Sequence, residues 1–363
     1  MLVLGIETSC DETAAAVVRD GCVLSSVVAS QTELHEQYGG VVPELASRAH
    51  LERIMPIVSR AIADAGVTLG EIEGVAVGNR PGLIGSLLVG VAAAKALAWS
   101  LSVPLIGVDH VHAHLFAGML GRAGAKEGGA SGAGAIEAAR IEFPALGLVV
   151  SGGHTSLYLV RSWTELKRLG ATIDDAMGEA FDKAAVILGL SFPGGPNLDA
   201  LAQTPGANDR AVDLPVSRLG AESLDFSFSG LKTAMLYEVR GVPGKLDGAP
   251  PAMTEARRAD LAASFQRAAV KAAIVKLERA IERGPRDAGG AYRAIIAGGG
   301  VTANSRLRRE LAELAKKRGL PLVIPAMSLC VDNAAMIAGL GEVKLAAGER
   351  SGWELAAAPT TGG

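Results

Sequence analysis

The sequence predicts an α/β protein of two lobes, and three observations carry that expectation. The chain has 363 residues, about twice an ordinary domain. Short apolar strand-like runs alternate with longer helical patterns, which implies parallel or mixed sheets covered by helices. One local device also occurs twice: an apolar strand turns through small polar residues into a second strand, at Val3 to Val18 and again at Leu146 to Val160.

The opening reads as a strand Val3 to Ile6, an unusually polar turn Glu7 to Thr13 and a strand Ala14 to Val18, with Asp20-Gly21 turning into a third strand, Cys22 to Val28. Next come a strand Val75 to Val77, a loop Gly78 to Gly85, a helix from Ser86, a strand Leu105 to Val108 and a helix beginning near Asp109. Gly121 to Arg140 is rich in Gly and Ala and lacks apolar periodicity, so it reads as a flexible linker or insert. The second lobe starts with the repeated device: Leu146 to Val150, the turn Ser151-Gly152-Gly153-His154-Thr155, then Leu157 to Val160. Long amphipathic helices follow, clearest from Thr254 to Arg283, and lead to a strand Ala294 to Ile296 that runs into Ala297-Gly298-Gly299-Gly300. After a helix Ser305 to Arg318 and a strand Leu322 to Ile324, the last helix, from about Asp332, is expected to return to the first lobe. The expected domains are 1–120 with 326–348, a linker 121–140, a second lobe 141–325 and a loosely ordered tail 349–363.

Composition narrows the function classes. Hydrophobic residues make up 49%, charged residues 20% and aromatics 4%, a soluble globular composition with a core of Ala, Val, Leu and Ile. Cys10, Cys22 and Cys330 form no CxxC pair, which excludes a disulfide framework and a cysteine-rich zinc site and fits a reducing compartment. No basic region and apolar stretch of an export signal opens the chain. The most apolar helix candidate, Ser86 to Leu101, carries Lys95 and falls short of the roughly 20 uninterrupted apolar residues of a membrane span. A cytoplasmic protein without a membrane anchor is expected. A formal charge of -3 offers no global field for nucleic acid, so a polyanion would have to meet a local basic patch.

Three turns join strand ends to small residues: Thr8 to Thr13, Ser151 to Thr155, and Gly298 to Asn304. Small side chains there let backbone N–H groups approach phosphate oxygens, and a following helix adds its positive end. Singly each is an ordinary tight turn, but three in one chain point to a nucleotide. The arrangement resembles that of the actin, heat-shock ATPase and sugar-kinase superfamily, and the resemblance implies duplicated ribonuclease H-like lobes that close over a ligand cleft.

His110 and His114 are four apart, which on a helix puts both imidazoles on one face, within reach of a single ion. The alternative is two partly exposed histidines at a helix start. Val111 stands where an HExxH peptidase carries its glutamate, so the hydrolytic base is missing. Asp332 sits at a strand-to-helix handover, where spacing alone makes it an N-cap.

The stretches GIETSCDET, YGGVVPELASRAH, SGGHTSLYLV, DDAMGEAFDKAAVILGL, PGGP, DFSFSGLKTA and AGGGVTAN resemble those of the tRNA adenosine threonylcarbamoyltransferase family (bacterial TsaD), and the likeness covers nearly the whole chain. The departures are the Gly/Ala insert at Gly121 to Arg140 and the Asn79-Arg80 before Pro81-Gly82. The resemblance implies transfer of a threonylcarbamoyl group from threonylcarbamoyl-AMP to the exocyclic amine of the adenosine 3′ of the anticodon, in tRNAs reading codons that begin with A. It implies His110, His114 and Asp332, the last in a CxDN context with Cys330 and Asn333, as ligands of one divalent metal. Two imidazoles and a carboxylate suit iron(II) or zinc. It further implies that Val149, Val150, Ser151, Gly152 and Gly153 line the donor's phosphate and carbamoyl region, that Asp182, Gly195 and Asp199 hold the ribose and its neighbours, and that Asn304 meets the adenine end. Without the resemblance Asp182 is a helix-surface charge beside Lys183, and Gly195 a Pro-Gly turn.

Asp11 or Glu12 is the candidate acceptor of the amine proton; as turn acids, both equally suit backbone capping. The implied partners are tRNA, a paralogous subunit of similar fold and a small P-loop ATPase. Basic runs around Arg306 to Arg318 and Arg257 to Lys271 serve either to guide tRNA or as solvated helix faces. The alternatives are a small-molecule kinase of the same fold, which has no use for an imidazole-based site, and a non-catalytic scaffold paralogue, which would have lost the ligand residues.

Overall fold

A computed structural model describes residues 1–38, 40–122, 141–217, 219–241, 252–285 and 290–360. They divide into two units, the first from 1–141, 163–165 and 325–363, the second from 142–162 and 166–324. In chain order the elements are β1 (Leu2–Glu7), β2 (Glu12–Arg19), β3 (Cys22–Ser30), α1 (Thr32–Glu36), α2 (Pro43–Ala65), β4 (Gly74–Arg80), α3 (Ile84–Leu101), β5 (Leu105–Asp109), α4 (His110–Phe116) and β6 (Gly121–Arg122). There follow β7 (Ala145–Val150), β8 (Thr155–Ser162), β9 (Glu165–Ala171), α5 (Met177–Ile187), α6 (Gly194–Ala202), α7 (Ser229–Arg240) and α8 (Glu255–Arg283). The chain closes with β10 (Ala294–Gly298), α9 (Ser305–Arg318), β11 (Leu322–Val323) and α10 (Ala334–Ala346).

The first unit is built on a six-stranded sheet in the order β5-β4-β1-β2-β3-β6. Its central strand β1 pairs antiparallel with β2 and parallel with β4. All six β1 residues are buried, and alternation divides them between two faces. Leu2, Leu4 and Ile6 pack with Ala15 and Val17 against Ile54 and Val58 of α2 and Val91 and Ala94 of α3. Val3, Ala14, Ala16 and Val18 pack on the other face against Ala334 to Ala338 of α10 and Phe116 of α4. Burial on both faces is why β1 reads as a continuous apolar run; each large aliphatic side chain so buried contributes about 1.5–3 kcal/mol.

α3 is the one described helix long and apolar enough, by composition, to cross a membrane. Its stripe Leu87, Val91, Ala94 and Ala98 is buried. Ile84, Leu88 and Trp99 of α3, with Leu51 and Met55 of α2, are exposed.

The second unit carries the sheet β11-β10-β7-β8-β9, with β7 parallel to β10 and antiparallel to β8. Leu146, Leu148, Val150, Leu157, Leu159 and Ile295 face Phe181 of α5 and Phe265 of α8, whose rings meet edge to face with centroids 5.4 Å apart.

Two expectations need correction. Within the stretch read as a linker, Gly121 and Arg122 form β6, parallel to β3; the remainder, 123–140, lies outside the described residues. The tail read as loosely ordered is held through 358. Ser351 bridges Leu105 on the edge strand β5, and its Oγ accepts Gly107 N–H at 3.0 Å. Asn79 donates to Ala356 O at 3.0 Å and accepts from Ala358 N–H at 2.9 Å, while Leu355 and Ala357 join the first unit's core. Covering the unpaired edge of β5 satisfies backbone groups that local polarity could not foretell.

Candidate functional site

In the first unit, β1 and β5 flank β4 and run parallel to it, so all three end at the same edge of the sheet. β5 stops at Asp109, whose carboxylate accepts the N–H groups of Val111 and His112 at 2.9 and 3.3 Å. That cap starts α4 at once, so His110 is its first residue and His114 stands one turn on. Asp332 reaches the same place from the far end of the chain. Its Oδ1 lies 3.4 Å from His110 Nε2 and 3.0 Å from His114 Nε2, and the three ligand atoms fall within 4.8 Å of one another. The N-cap reading of Asp332 is corrected: Asn333 caps α10, its Oδ1 accepting Met336 N–H at 3.0 Å. Its neighbour's carboxylate is thereby left for the histidines.

The cluster fits a cation. His114 is fully buried, yet among the described residues neither of its ring nitrogens has an aligned hydrogen bond, the 3.0 Å approach to Asp332 included. Buried imidazole nitrogens left without partners are costly unless something else engages them. Burial holds the His114 pKa below its usual value. Burial also disfavours charge on His110, but the Asp332 and Glu7 carboxylates outweigh it and hold that imidazole well above its ordinary range. Burial opposes the Asp332 charge likewise, and His110 and His114 overcome it, so the carboxyl stays well below the usual range. Metal ligands must be deprotonated, so a divalent ion would displace the His110 proton on binding. Two imidazoles and one carboxylate can therefore hold a metal.

Around this cluster lie residues that sequence reasoning missed. Glu7 is fully buried and places Oε2 3.0 Å from His110 Nδ1. Ser9 Oγ stands 3.2 Å from the same nitrogen. His50 of α2 bridges the acidic loop, with Nδ1 2.8 Å from Thr13 Oγ1 and Nε2 3.0 Å from Cys10 O. The one available signal was Glu7 itself, a carboxylate closing an otherwise apolar strand. Glu12 begins β2, and burial, followed by the charges of Asp332 and Asp11, pushes its carboxyl up to about 9.

The second unit assembles the other predicted residues into a ring of contacts above the carboxyl ends of β7 and β10. The turn after Val149 and Val150 is closed by Ser151 N–H on His154 O at 2.8 Å. Helix α5 starts against it, Gly178 N–H donating to Ser151 O at 3.1 Å and Glu179 N–H to Gly152 O at 3.2 Å. A Cβ at Gly178 would sit 2.6 Å from Ser151 O, so only glycine permits this approach. One turn along, Asp182 accepts Gly195 N–H at 3.0 Å and so holds the start of α6. Burial pushes its carboxyl up, against the pull of the Gly195 and Gly194 N–H groups. From α6, Asp199 accepts Ser305 N–H at 3.1 Å, Ser305 Oγ at 2.7 Å and the Gln266 amide. Asn304 caps α9 through Leu307 N–H at 3.0 Å. Gly299, at φ +97, closes the ring, where a Cβ would meet Val150 O at 2.4 Å.

All nine residues foreseen for the donor lie in the second unit, Val149 to Gly153 and Asn304 at or just beyond strand ends and Asp182, Gly195 and Asp199 on α5 and α6. Asp182, Asp199 and Asn304 each also have a structural partner. A cavity of about 300 Å³ lined by Leu159, Leu224 and Tyr292 in this unit shares no residue with the ring. In the basic runs, Arg306 pairs with Asp209 and Glu310 at 2.7 and 2.6 Å, Arg318 with Glu282 at 2.6 Å and Arg257 with Glu238 at 3.4 Å, so these arginines are helix-face cations with acidic partners.

Residues 22–339 match a family model described as tRNA N6-adenosine threonylcarbamoyltransferase. A protein of that name from Pelobacter propionicus is 50% identical over 354 residues, 97% of this chain and 94% of its own length. One from Sorangium cellulosum is 48% identical over 359 residues, 98% of this chain and 95% of its own. Among solved structures, full-length HypF in its phosphate- and nucleotide-bound form superposes with a TM-score of 0.54 at 14% identity, covering 97% of this chain and 47% of that one. Component A of the Acidaminococcus fermentans (R)-2-hydroxyglutaryl-CoA dehydratase gives 0.50 at 13% identity, covering 96% and 99%. These two share the fold: α/β, of the actin-like ATPase type.

Proposed function

The chain belongs to the tRNA N6-adenosine threonylcarbamoyltransferase family and is a transferase that modifies adenosine in tRNA; from that premise we propose how its two constellations divide the work. The convergence of His110, His114 and Asp332 from distant parts of the sequence carries the proposal. The second unit's ring holds the donor, threonylcarbamoyl-AMP. N–H groups in the Ser151 to Gly153 turn face its phosphate, Asp182, Gly195 and Asp199 hold the ribose side, and Asn304 meets the adenine. His110, His114 and Asp332 hold one iron(II) or zinc ion, which when bound supplies a positive charge that polarises carbonyl or phosphoryl oxygen.

In the reaction the adenosine N6 amine attacks the carbamoyl carbon, a new C–N bond forms, the bond from that carbon to the phosphate oxygen breaks, and AMP departs. The amine lone pair is delocalised into the purine, so orientation and oxyanion stabilisation must lower the barrier. The Ser151 to Gly153 turn steadies the charge passing to the phosphate. Asp11 or Glu12, in the turn that follows β1 and opens β2, accepts the amine proton. The target is the adenosine 3′ of the anticodon in tRNAs reading codons that begin with A, a base presented unstacked in its loop. The exposed apolar side chains of α2 and α3 support a subunit partner, which we take to be a paralogue of similar fold working with a small P-loop ATPase. A tRNA substrate supports a cytoplasmic location. The kinase and scaffold alternatives lose ground because the imidazole-based cluster is present in full.

The test supplies purified protein, its partners and threonylcarbamoyl-AMP to unmodified tRNA. Wild type is expected to form N6-threonylcarbamoyladenosine, while His110→Ala and Asp182→Ala fail. Full activity in both variants would remove the site assignment.

A further inference from the structure

We propose that Glu7 is the positioning residue of the metal centre, and that one buried carboxylate references both the ligand His110 and the loop bearing Asp11 and Glu12. The inference rests on the metal reading above and deepens it.

Both Glu7 oxygens are committed. Oε2 lies 3.0 Å from His110 Nδ1, and Oε1 accepts Ser9 N–H at 2.5 Å. A carboxylate can only accept, so its 3.0 Å contact selects hydrogen on Nδ1 over the longer 3.2 Å approach of the Ser9 hydroxyl, and in neutral His110 the lone pair then resides on Nε2. Nε2 is the nitrogen that faces Asp332. A carboxylate behind a ligating histidine fixes its tautomer and ring orientation and raises its basicity. The opposite oxygen fixes where the chain leaves β1, and with it the first residues of the acidic loop.

Glu7 has no freedom to do this from elsewhere. It is 0% exposed, and Gly78 of β4 backs onto it so closely that a Cβ there would lie 2.6 Å from Oε2. The side chain is held between β4 and His110. A carboxamide of the same shape cannot replace it, because glutamine has one acceptor and one donor end. Whichever way the amide turns, its NH2 group meets either the His110 Nδ1–H or the Ser9 N–H, donor against donor.

The experiment uses the full chain, freed of metal and titrated with Zn²⁺ against a chromophoric chelator, with near-ultraviolet circular dichroism as the fold control. Glu7→Gln is expected to weaken Zn²⁺ binding by about 10- to 100-fold. Gly78→Ala, which alters no ligand, should weaken it in the same direction by pushing Oε2 aside. A two-bond ¹⁵N–¹H correlation spectrum of Zn²⁺-loaded wild type should show His110 protonated at Nδ1 and bare at Nε2. Protonation at Nε2 overturns the proposal, as does wild-type affinity in Glu7→Gln while His110→Ala and Asp332→Ala lose Zn²⁺. Undiminished affinity in His110→Ala and Asp332→Ala instead sinks the metal reading itself. If neither Glu7→Gln nor Gly78→Ala folds, the wild-type spectrum still decides.

Discussion

Replacing Asn333 by alanine separates the cap of α10 from the ligand beside it. Asn333 is 1% exposed, its Oδ1 accepts Met336 N–H at 3.0 Å, and its Nδ2 donates to Val331 O at 2.8 Å and more distantly to Leu329 O at 3.4 Å. Loss of an N-cap side chain costs about 1 kcal/mol. A carbonyl stripped of its partner away from water adds about 1–2 kcal/mol. Asn333→Ala should therefore lose about 2–3 kcal/mol, a fall of roughly 4–12 °C in melting temperature for a unit of this size. Asn333→Asp keeps the acceptor for Met336 N–H and should recover about 1 kcal/mol of the loss, but its carboxylate faces the Val331 carbonyl without a donor. Because the cap fixes the peptide that follows Asp332, Zn²⁺ affinity should fall in both variants. Urea denaturation with a chelator titration reads both quantities. An Asn333→Ala protein within about 0.5 kcal/mol of wild type, the range of an ordinary surface substitution, would refute the reasoning.

Other outcomes follow from the same contacts. Gly178→Ala drives a methyl to 2.6 Å from Ser151 O and 2.8 Å from Gly152 Cα; calorimetry with AMP should show weakened binding while Zn²⁺ affinity holds, and unchanged AMP affinity would deny the turn a phosphate role. Zn²⁺ at one hundred times its Kd should raise wild-type stability by about 2.7 kcal/mol, and His114→Ala should abolish the increment in a thermal-shift titration. Burial and the Arg279 charge lower the Lys276 amino group to about 8, partly offset by Asp225. The unfolded chain keeps that proton up to about 10.4, so it binds more protons between the two values and stability should climb with pH across that window. Lys276→Met should flatten the climb in urea titrations at stepped pH. Phe181→Ala removes a ring 2% exposed and stacked edge to face on Phe265; the cavity should cost about 3–5 kcal/mol, readable as a shifted urea midpoint.

Most of the fold was legible because its signals are local. β1, β7 and β10 are apolar runs ending in small or polar residues, and α9 begins and ends where its Asn304 cap and Gly319 place it. The spacing of His110 and His114 needs only the pitch of a helix. The family strings singled out the residues proposed for the donor, although Asp199 and Asn304 gave no hint of their tie through Ser305. β6 and the tail escaped because each is ordered by pairing with strands far away in sequence, not by its own composition.

The sequence by itself determined strands such as β1, β7 and β10 and helices such as α8 and α9, and it placed two imidazoles on one helical face, since hydrophobic period and turn chemistry act over a few residues. Only the tertiary structure decided that Asn333 caps α10 while Asp332 turns to the histidines, and that Glu7 stands behind His110. Those choices depend on which side chains arrive from distant strands, and in a closely packed interior such neighbours select one arrangement among several that are locally equal.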